Sequence, residues 1–171
     1  MPDVRIRRGN GTDVDALAVL VPDPDRRYWR VRHAIDGREQ LLVAEAAGQV
    51  LGAVSVHWEE GCDPPHPWIY GGEVLADWRG RGIGSLLWQA AHEECMSRGH
   101  EAVSLDVDVE NVAARRLYER LGYDLVGPHL HRWAARDRAG RITGQGTADT
   151  WLMRCRLTLP SRPTGRPDPD P

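Results

Sequence analysis

The sequence contains no lysine and no phenylalanine, so all 22 basic residues are arginine and the aromatic residues are tryptophan and tyrosine. Without lysine there is no P-loop lysine to contact a nucleotide phosphate, and Schiff-base and lysine-base chemistry are excluded. The formal net charge of −3 argues against a dedicated nucleic-acid-binding protein, because such proteins carry a strongly basic surface.

Cysteine is scarce, and the three cysteines are far apart: Cys62, Cys95 and Cys155. They form neither a disulfide framework nor a CxxC motif. No apolar run approaches the roughly 18 residues of a membrane helix, and the first residues lack the apolar segment of a signal peptide. We therefore expect a soluble, cytoplasmic protein with no membrane partner. Residues 1–159 are predicted to form one domain, and the proline-rich residues 160–171 a disordered tail.

The spacing of apolar residues predicts the element order βααβββαβαββ, which is an α/β fold with a central mixed sheet and helices on both faces. A short helix follows Thr12 as its cap, a helix begins at Asn111 and ends before Gly122, and two polar loops are expected at 59–67 and 136–147. The other predicted helices span 26–35 and 83–98. The predicted strands span 4–8, 40–46, 50–58, 68–76, 102–109, 123–131 and 150–158.

The most informative stretch is 70–87, which reads as a strand, a turn rich in arginine and glycine, and the start of an amphipathic helix. Gly80, Gly82 and Gly84 occupy every second position of the turn, and glycine lets a ligand approach the main chain closely. A turn at a helix start directs backbone N–H groups and the positive end of the helix dipole towards one point. Arg79 and Arg81 add positive charge, so the stretch predicts a site for a phosphate group.

Two familiar phosphate-binding motifs fit this turn poorly. A P-loop ends in Gly-Lys-Ser/Thr and is excluded by the absence of lysine. A dinucleotide-binding fold needs GxGxxG soon after the first strand, whereas this turn has Gly80-x-Gly82-x-Gly84 and lies in the middle of the chain.

Two motifs together resemble those of the GNAT acetyltransferase superfamily. The first is Arg79-x-x-Gly82-x-Gly84 after a strand. The second, about thirty residues later, is Asn111…Ala114…Leu117-Tyr118-Glu119-x-x-Gly122-Tyr123. The resemblance covers roughly residues 4–158 by element order. It departs from the family at Tyr123, a position that is often phenylalanine in other members.

The resemblance implies an acetyl-CoA-dependent N-acetyltransferase without a metal cofactor. Its acceptor would be a primary amine of a small molecule or peptide, which attacks acetyl-CoA directly in a ternary complex. Tyr118 would be the general acid for the leaving thiolate and the Leu75 N–H the oxyanion donor. The residues expected to contact acetyl-CoA are Val74, Leu75, Ala76, Arg79, Gly80, Arg81, Gly82, Ile83, Gly84, Ser85, Asn111, Ala114 and Tyr118. A homodimer is compatible with the resemblance.

Two carboxylates are candidates for the general base, and both stand at positions where relatives carry an acid. Glu73 lies on the central strand just before the segment expected to pair with pantetheine, and Asp106 lies in the next strand. Glu73 is slightly preferred because it is closest in sequence to the acetyl end of the cofactor. Either carboxylate could instead be solvated or ion-paired, and His57 is better explained as a strand-end histidine.

The acceptor side is less specific. Tyr28, Trp29, Trp58 and Glu59 suit a cationic amine by charge pairing and cation–π contact, although a solvated acidic loop explains the acidic part equally well. The candidate acceptors are an aminoglycoside-like antibiotic, a polyamine, an amino-acid derivative and a protein N-terminus. The spacing of Cys62, His66, His129 and His131 matches no standard metal-ligand set. The alternative function is a non-catalytic acyl-CoA-binding sensor or regulatory module.

Overall fold

A computed structural model of the protein describes residues 3–58 and 67–158. Its centre is a seven-stranded mixed sheet with the strand order β1-β2-β3-β4-β5-β7-β6. Only the β4–β5 pair is parallel, and the other neighbours are antiparallel. The strands are β1 Arg5–Arg8, β2 Glu39–Ala46, β3 Gln49–His57, β4 Trp68–Val74, β5 Ala102–Asp108, β6 Asp124–Arg136 and β7 Ile142–Arg156.

Helices cover both faces of the sheet, as the sequence predicts. They are α1 Asp13–Ala16, α2 Pro24–Ile35, α3 Ile83–Ser97 and α4 Val112–Arg120. A smaller cluster of buried side chains, including Leu17, Val31 and Leu41, lies under α1 and α2. A larger cluster with Leu87, Trp88 and Tyr123 lies on the other face, where α3 packs. No helix among the described residues is long and apolar enough to span a membrane.

Strand β4 separates from β5 soon after it begins. The two strands share one pair of registered residues, Trp68 and Ser104, and the β3–β4 register shifts between Ala53 and Ser55. The irregular part of β4 contains Gly71, whose φ of +62° is accessible to glycine without strain. At the following glycine a Cβ atom would overlap the Trp88 ring. The glycine pair therefore lets β4 bend away from β5 and opens a cleft between their carboxyl ends.

The predicted loop over 136–147 is wrong. Strands β6 and β7 continue to pair through most of it, and only residues 137–141 form a turn. The Asp137 carboxylate accepts N–H groups from Ala139 and Arg141, and Gly140 adopts a φ of +83°. A carboxylate that accepts nearby backbone N–H groups makes a tight turn favourable here. The polar, glycine-containing composition of the segment therefore belongs to a long hairpin.

Two predicted helix starts also differ in detail. Helix α2 begins at Pro24, two residues earlier than predicted, because the Asp23 side chain accepts N–H groups from the first turn. Thr12 precedes α1 as predicted, but its side chain does not cap the helix; the hydroxyl donates to Asn10 Oδ1 instead. The predicted disordered tail and most of the loop predicted over 59–67 lie outside the described residues.

Candidate acetyl-transfer site

The glycine turn leads directly into the first turn of α3. Gly80 and Gly82 have φ angles of +70° and +82°, and Gly82 is the N-cap residue of the helix. A Cβ atom built on Gly80, Gly82 or Gly84 would meet nothing within 4 Å, so the space in front of the turn is open. Gly82 also has no side chain to cap the first N–H groups of α3. The turn therefore fits an anion that approaches the main chain.

The side chains of the turn contribute unequally. Arg79 is exposed and donates its Nε–H to the Val74 carbonyl at 3.0 Å. Arg81 is exposed and lies over the Trp78 ring, with its Cζ 5.0 Å from the ring centroid. Ile83 is buried in the core, so only its backbone can serve a ligand, whereas Ser85 is exposed.

The end of β4 corrects one predicted role. The Leu75 N–H donates to the Leu51 carbonyl at 2.9 Å, which continues the pairing of β4 with β3. A backbone donor that is already engaged in the sheet cannot also stabilise an oxyanion in this conformation. Ala76 begins a short 3₁₀ turn that ends at Trp78, so the segment predicted to pair with pantetheine is extended only up to Leu75.

Helix α4 carries the predicted general acid beside the start of α3. The Asn111 Oδ1 caps α4 by accepting the Ala114 N–H at 3.0 Å, so only its side-chain NH2 group can serve a ligand. Half-buried Tyr118 packs against Trp88 of α3, with ring centroids 5.4 Å apart. Burial, and secondly the charge of Asp106, raise the pKa of Tyr118 above its ordinary value. The phenol is therefore protonated at neutral pH.

The two candidate bases have different surroundings. Glu73 is held by Arg30, whose Nη1 is 3.3 Å from Oε2, and by Arg26, whose Nη2 is 3.8 Å from Oε1. Arg30 is only 3% exposed and also donates to the Ser55 hydroxyl and the Gly71 carbonyl. Burial lowers the pKa of this guanidinium. Glu73 is therefore part of a buried network that fastens α2 to β4.

Asp106 on β5 pairs with His131, a histidine whose spacing in the sequence matches no metal-ligand set. Its Oδ2 is 3.0 Å from His131 Nδ1, and this hydrogen bond raises the pKa of His131 above its ordinary value. Since Asp106 also contributes to the raised pKa of Tyr118, its carboxylate acts electrostatically on the predicted general acid. The sequence signal was the alternation His129-x-His131, which places both histidines on one face of β6.

The predicted acceptor-side residues do not converge. Trp29 donates its Nε1–H to the Asp137 carbonyl at 2.9 Å, and Arg138 lies over the Tyr28 ring, so both aromatic residues contact the tip of the β6–β7 hairpin. Trp58 contacts Arg98, just beyond the carboxyl end of α3. The acceptor roles of Tyr28, Trp29 and Trp58 stay predictions, and Glu59 lies outside the described residues.

Comparison with known proteins identifies a family model and individual proteins that are similar to this chain. Residues 12–123 match the family model described as the acetyltransferase (GNAT) family. A mycothiol acetyltransferase from Thermobispora bispora is 40% identical over 89 residues, which cover 48% of this chain and 29% of that protein. The acetyltransferase SG1711 from Sodalis glossinidius is 34% identical over 120 residues, covering 70% of this chain and 72% of that protein.

A solved structure shares the fold and holds the expected ligand. The acetyltransferase yncA from Salmonella typhimurium, described as putative and determined with its cofactor acetyl-CoA, superposes with a TM-score of 0.63 at 20% identity. The match covers 95% of this chain and 99% of that one. The present chain spans less than half the length of the mycothiol acetyltransferases that it matches.

Proposed function

This chain belongs to the GNAT acetyltransferase family, and on that basis we propose that it transfers the acetyl group of acetyl-CoA to a primary amine of a small molecule or peptide. The observation that carries the proposal is the position of Tyr118. It lies against Trp88 of α3, so a protonated phenol stands beside the helix whose first turn carries the open glycine turn.

The chain would hold acetyl-CoA at two places. N–H groups from the glycine turn and the first turn of α3 would bind the pyrophosphate. The side chains of Arg79 and Arg81, which belong to the same turn, would add positive charge beside it. The main chain of Val74 and Ala76, with the Asn111 amide, would bind the pantetheine arm in the cleft between β4 and β5, since the Leu75 N–H is held by the Leu51 carbonyl. The open space at Gly80, Gly82 and Gly84 fits this arrangement, because side chains there would obstruct the phosphates.

In the chemical step, the amine nitrogen attacks the thioester carbonyl, and the carbon–sulfur bond breaks as the carbon–nitrogen bond forms. Tyr118 would give its phenolic proton to the departing thiolate, since its raised pKa keeps that proton available at neutral pH. The amine must lose a proton because alkyl ammonium groups titrate near pH ~10. We propose that Asp106 receives it, because its carboxylate is close enough to raise the pKa of Tyr118, whereas Glu73 is held by two arginines, Arg26 and Arg30.

Replacing each candidate base by its neutral amide isostere shows which carboxylate the reaction needs. Asp106→Asn should lower kcat about 100-fold, the usual scale for losing a positioned acid or base. Glu73→Gln should largely retain kcat, although it weakens the network around Arg30. Steady-state kinetics on both variants, with circular dichroism as a check on folding, makes the comparison. The reverse ranking would move the base to Glu73.

The test of the function itself is a thiol-release assay with acetyl-CoA and a panel of amines. The panel contains an amino acid, a polyamine, an aminoglycoside and a peptide with a free N-terminus. We expect amine-dependent release of coenzyme A with at least one class, and mass spectrometry should find the acetylated amine. Tight acetyl-CoA binding without turnover on any amine would instead favour the non-catalytic acyl-CoA-binding module.

A further inference from the structure

Strands β5 and β6 together bear three metal-ligating side chains that are distant in sequence: Asp106, His129 and His131. Strand β7 lies between them and pairs with both. Residues that pair directly across neighbouring strands share a face of the sheet. Asp106 pairs with Leu152, which pairs with Gly127, two residues before His129. The register therefore places all three side chains on one face, above β7.

The ligand atoms are close enough to share one ion. One atom from each side chain can be chosen so that all three lie within 4.8 Å of one another. His131 Nδ1 and Asp106 Oδ2 are 3.0 Å apart. Ligands bound tetrahedrally to zinc at about 2.0–2.2 Å are separated by roughly 3.3–3.6 Å. Small side-chain rotations would therefore bring the three atoms to bonding distance.

We propose that Asp106, His129 and His131 form a binding site for a divalent transition-metal ion of the zinc class. Two imidazoles and a carboxylate are ligands that Zn²⁺ accepts, and three protein ligands leave a coordination position open to water. The ion pair between Asp106 and His131 explains two members of the cluster, but it does not account for the approach of His129.

Access and surroundings agree with this assignment. The His131 side chain is 38% exposed and the Asp106 side chain 12% exposed, so an ion can enter from solvent without opening the core. The Trp68 ring lies against His129, with centroids 5.7 Å apart, and helps to fix the orientation of that imidazole. On β7, the residues opposite His131 and His129 are Ala148 and Thr150, both small enough to leave room above the strand.

An ion at this site would affect the proposed reaction. Asp106 is the proposed base, and coordination would occupy its carboxylate, so Zn²⁺ should inhibit acetyl transfer. This consequence rests on the proposed function, whereas metal binding itself does not. The site is thus a means by which metal availability would regulate the enzyme.

The experiment uses the full chain, freed of metal by dialysis against a chelator. Titration with Co²⁺, followed by its visible d–d absorption, should give one tetrahedral or five-coordinate site per chain, and Zn²⁺ should displace the cobalt. His129→Ala and His131→Ala should each weaken cobalt binding at least about tenfold. Absence of a cobalt spectrum, or unchanged affinity in His129→Ala, would overturn the site.

Two controls exclude other donors. His33→Ala removes a histidine from the second histidine–carboxylate cluster, where His33 and His57 both approach Glu39. Cys62→Ser combined with His66→Ala removes two further donors. Binding should be unchanged in both controls, and its loss in either would place the metal elsewhere.

A kinetic measurement separates the two proposals. With an amine that is turned over, Zn²⁺ should inhibit the unsubstituted protein, and His129→Ala should resist inhibition when each protein is compared with its own metal-free rate. Equal inhibition of both would refute regulation through this site. Cobalt binding without turnover of any amine would leave the metal site supported and would contradict the proposed acetyl transfer.

Discussion

Replacing Gly84 by aspartate is expected to abolish acetyl-CoA binding while leaving the protein at least as stable. Gly84 is the second residue of α3, its φ is not positive, and a Cβ there meets nothing within 4 Å. A carboxylate in the first turn of a helix stabilises it by about 0.3–1 kcal/mol. The same charge would repel the pyrophosphate from the helix start that is proposed to bind it.

The loss should exceed about 100-fold in Kd, which corresponds to roughly 2.7 kcal/mol. Isothermal titration calorimetry with acetyl-CoA measures it, and the thermal midpoint checks the fold. Gly84→Ala is the matched control, because it adds the Cβ atom without the charge and should bind more tightly than Gly84→Asp. A Kd for Gly84→Asp within about tenfold of that of the unsubstituted protein would refute the proposed pyrophosphate site.

Gly82 would be a less informative position for this experiment. Its φ of +82° is strained for any residue with a side chain, so a substitution there costs about 1 kcal/mol or more before any ligand is considered. A loss of binding would then mix damage to the turn with repulsion of the phosphates. The contrast between the two glycines follows from their backbone angles, which the spacing of glycines in the sequence does not reveal.

The sequence predicted the sheet and the helix order well because those elements depend on local patterns. Alternation over 102–109 and helical spacing after Ile83 each reflect burial of one face, and the structure places these segments in β5 and α3. The element order and the mixed sheet are confirmed. The glycine turn was recognised for a similar reason, because its signal is contained in six consecutive residues.

The errors arose where a role depends on residues far apart in the chain. Arg30 is buried because Ser55, Gly71 and Glu73 surround its guanidinium, and the sequence of α2 alone does not indicate that burial. The Leu75 N–H could act as an oxyanion donor only if it had no partner in the sheet. It donates to the Leu51 carbonyl of β3, and this pairing is not visible in the sequence around Leu75.

The cluster on β5 and β6 was hidden for the same reason. Asp106 lies more than twenty residues from His129 and His131, and its approach to them is set by the register of β7 with both strands. The register of β6 with β7 is set by the turn that joins them. The sequence predicts a loop over 136–147 in place of that turn, so the spacing of residues along the chain does not indicate the register. Metal-ligand motifs read from sequence detect only donors whose spacing is local.

Tyr118→Phe is expected to lower kcat about 100- to 1,000-fold while changing the Kd for acetyl-CoA less than about threefold. The substitution removes one hydroxyl and keeps the ring, so the contacts with Trp88 and Tyr123 persist. Burial and the charge of Asp106 keep the phenol protonated, and this is the form needed to donate to a departing thiolate. Removing it should therefore slow the chemical step rather than weaken cofactor binding.

Tyr28→Phe is the matched control, because that tyrosine lies on α2 under Arg138 and the substitution keeps the ring on which its predicted cation–π contact with the acceptor depends. Its kcat should equal that of the unsubstituted protein. Rates should also be measured with an acyl donor whose thiol is more acidic, since such a leaving group needs less help from an acid. Tyr118→Phe should recover much of its deficit with that donor. An unchanged kcat in Tyr118→Phe, or an equal deficit with both donors, would contradict the role of Tyr118 as general acid.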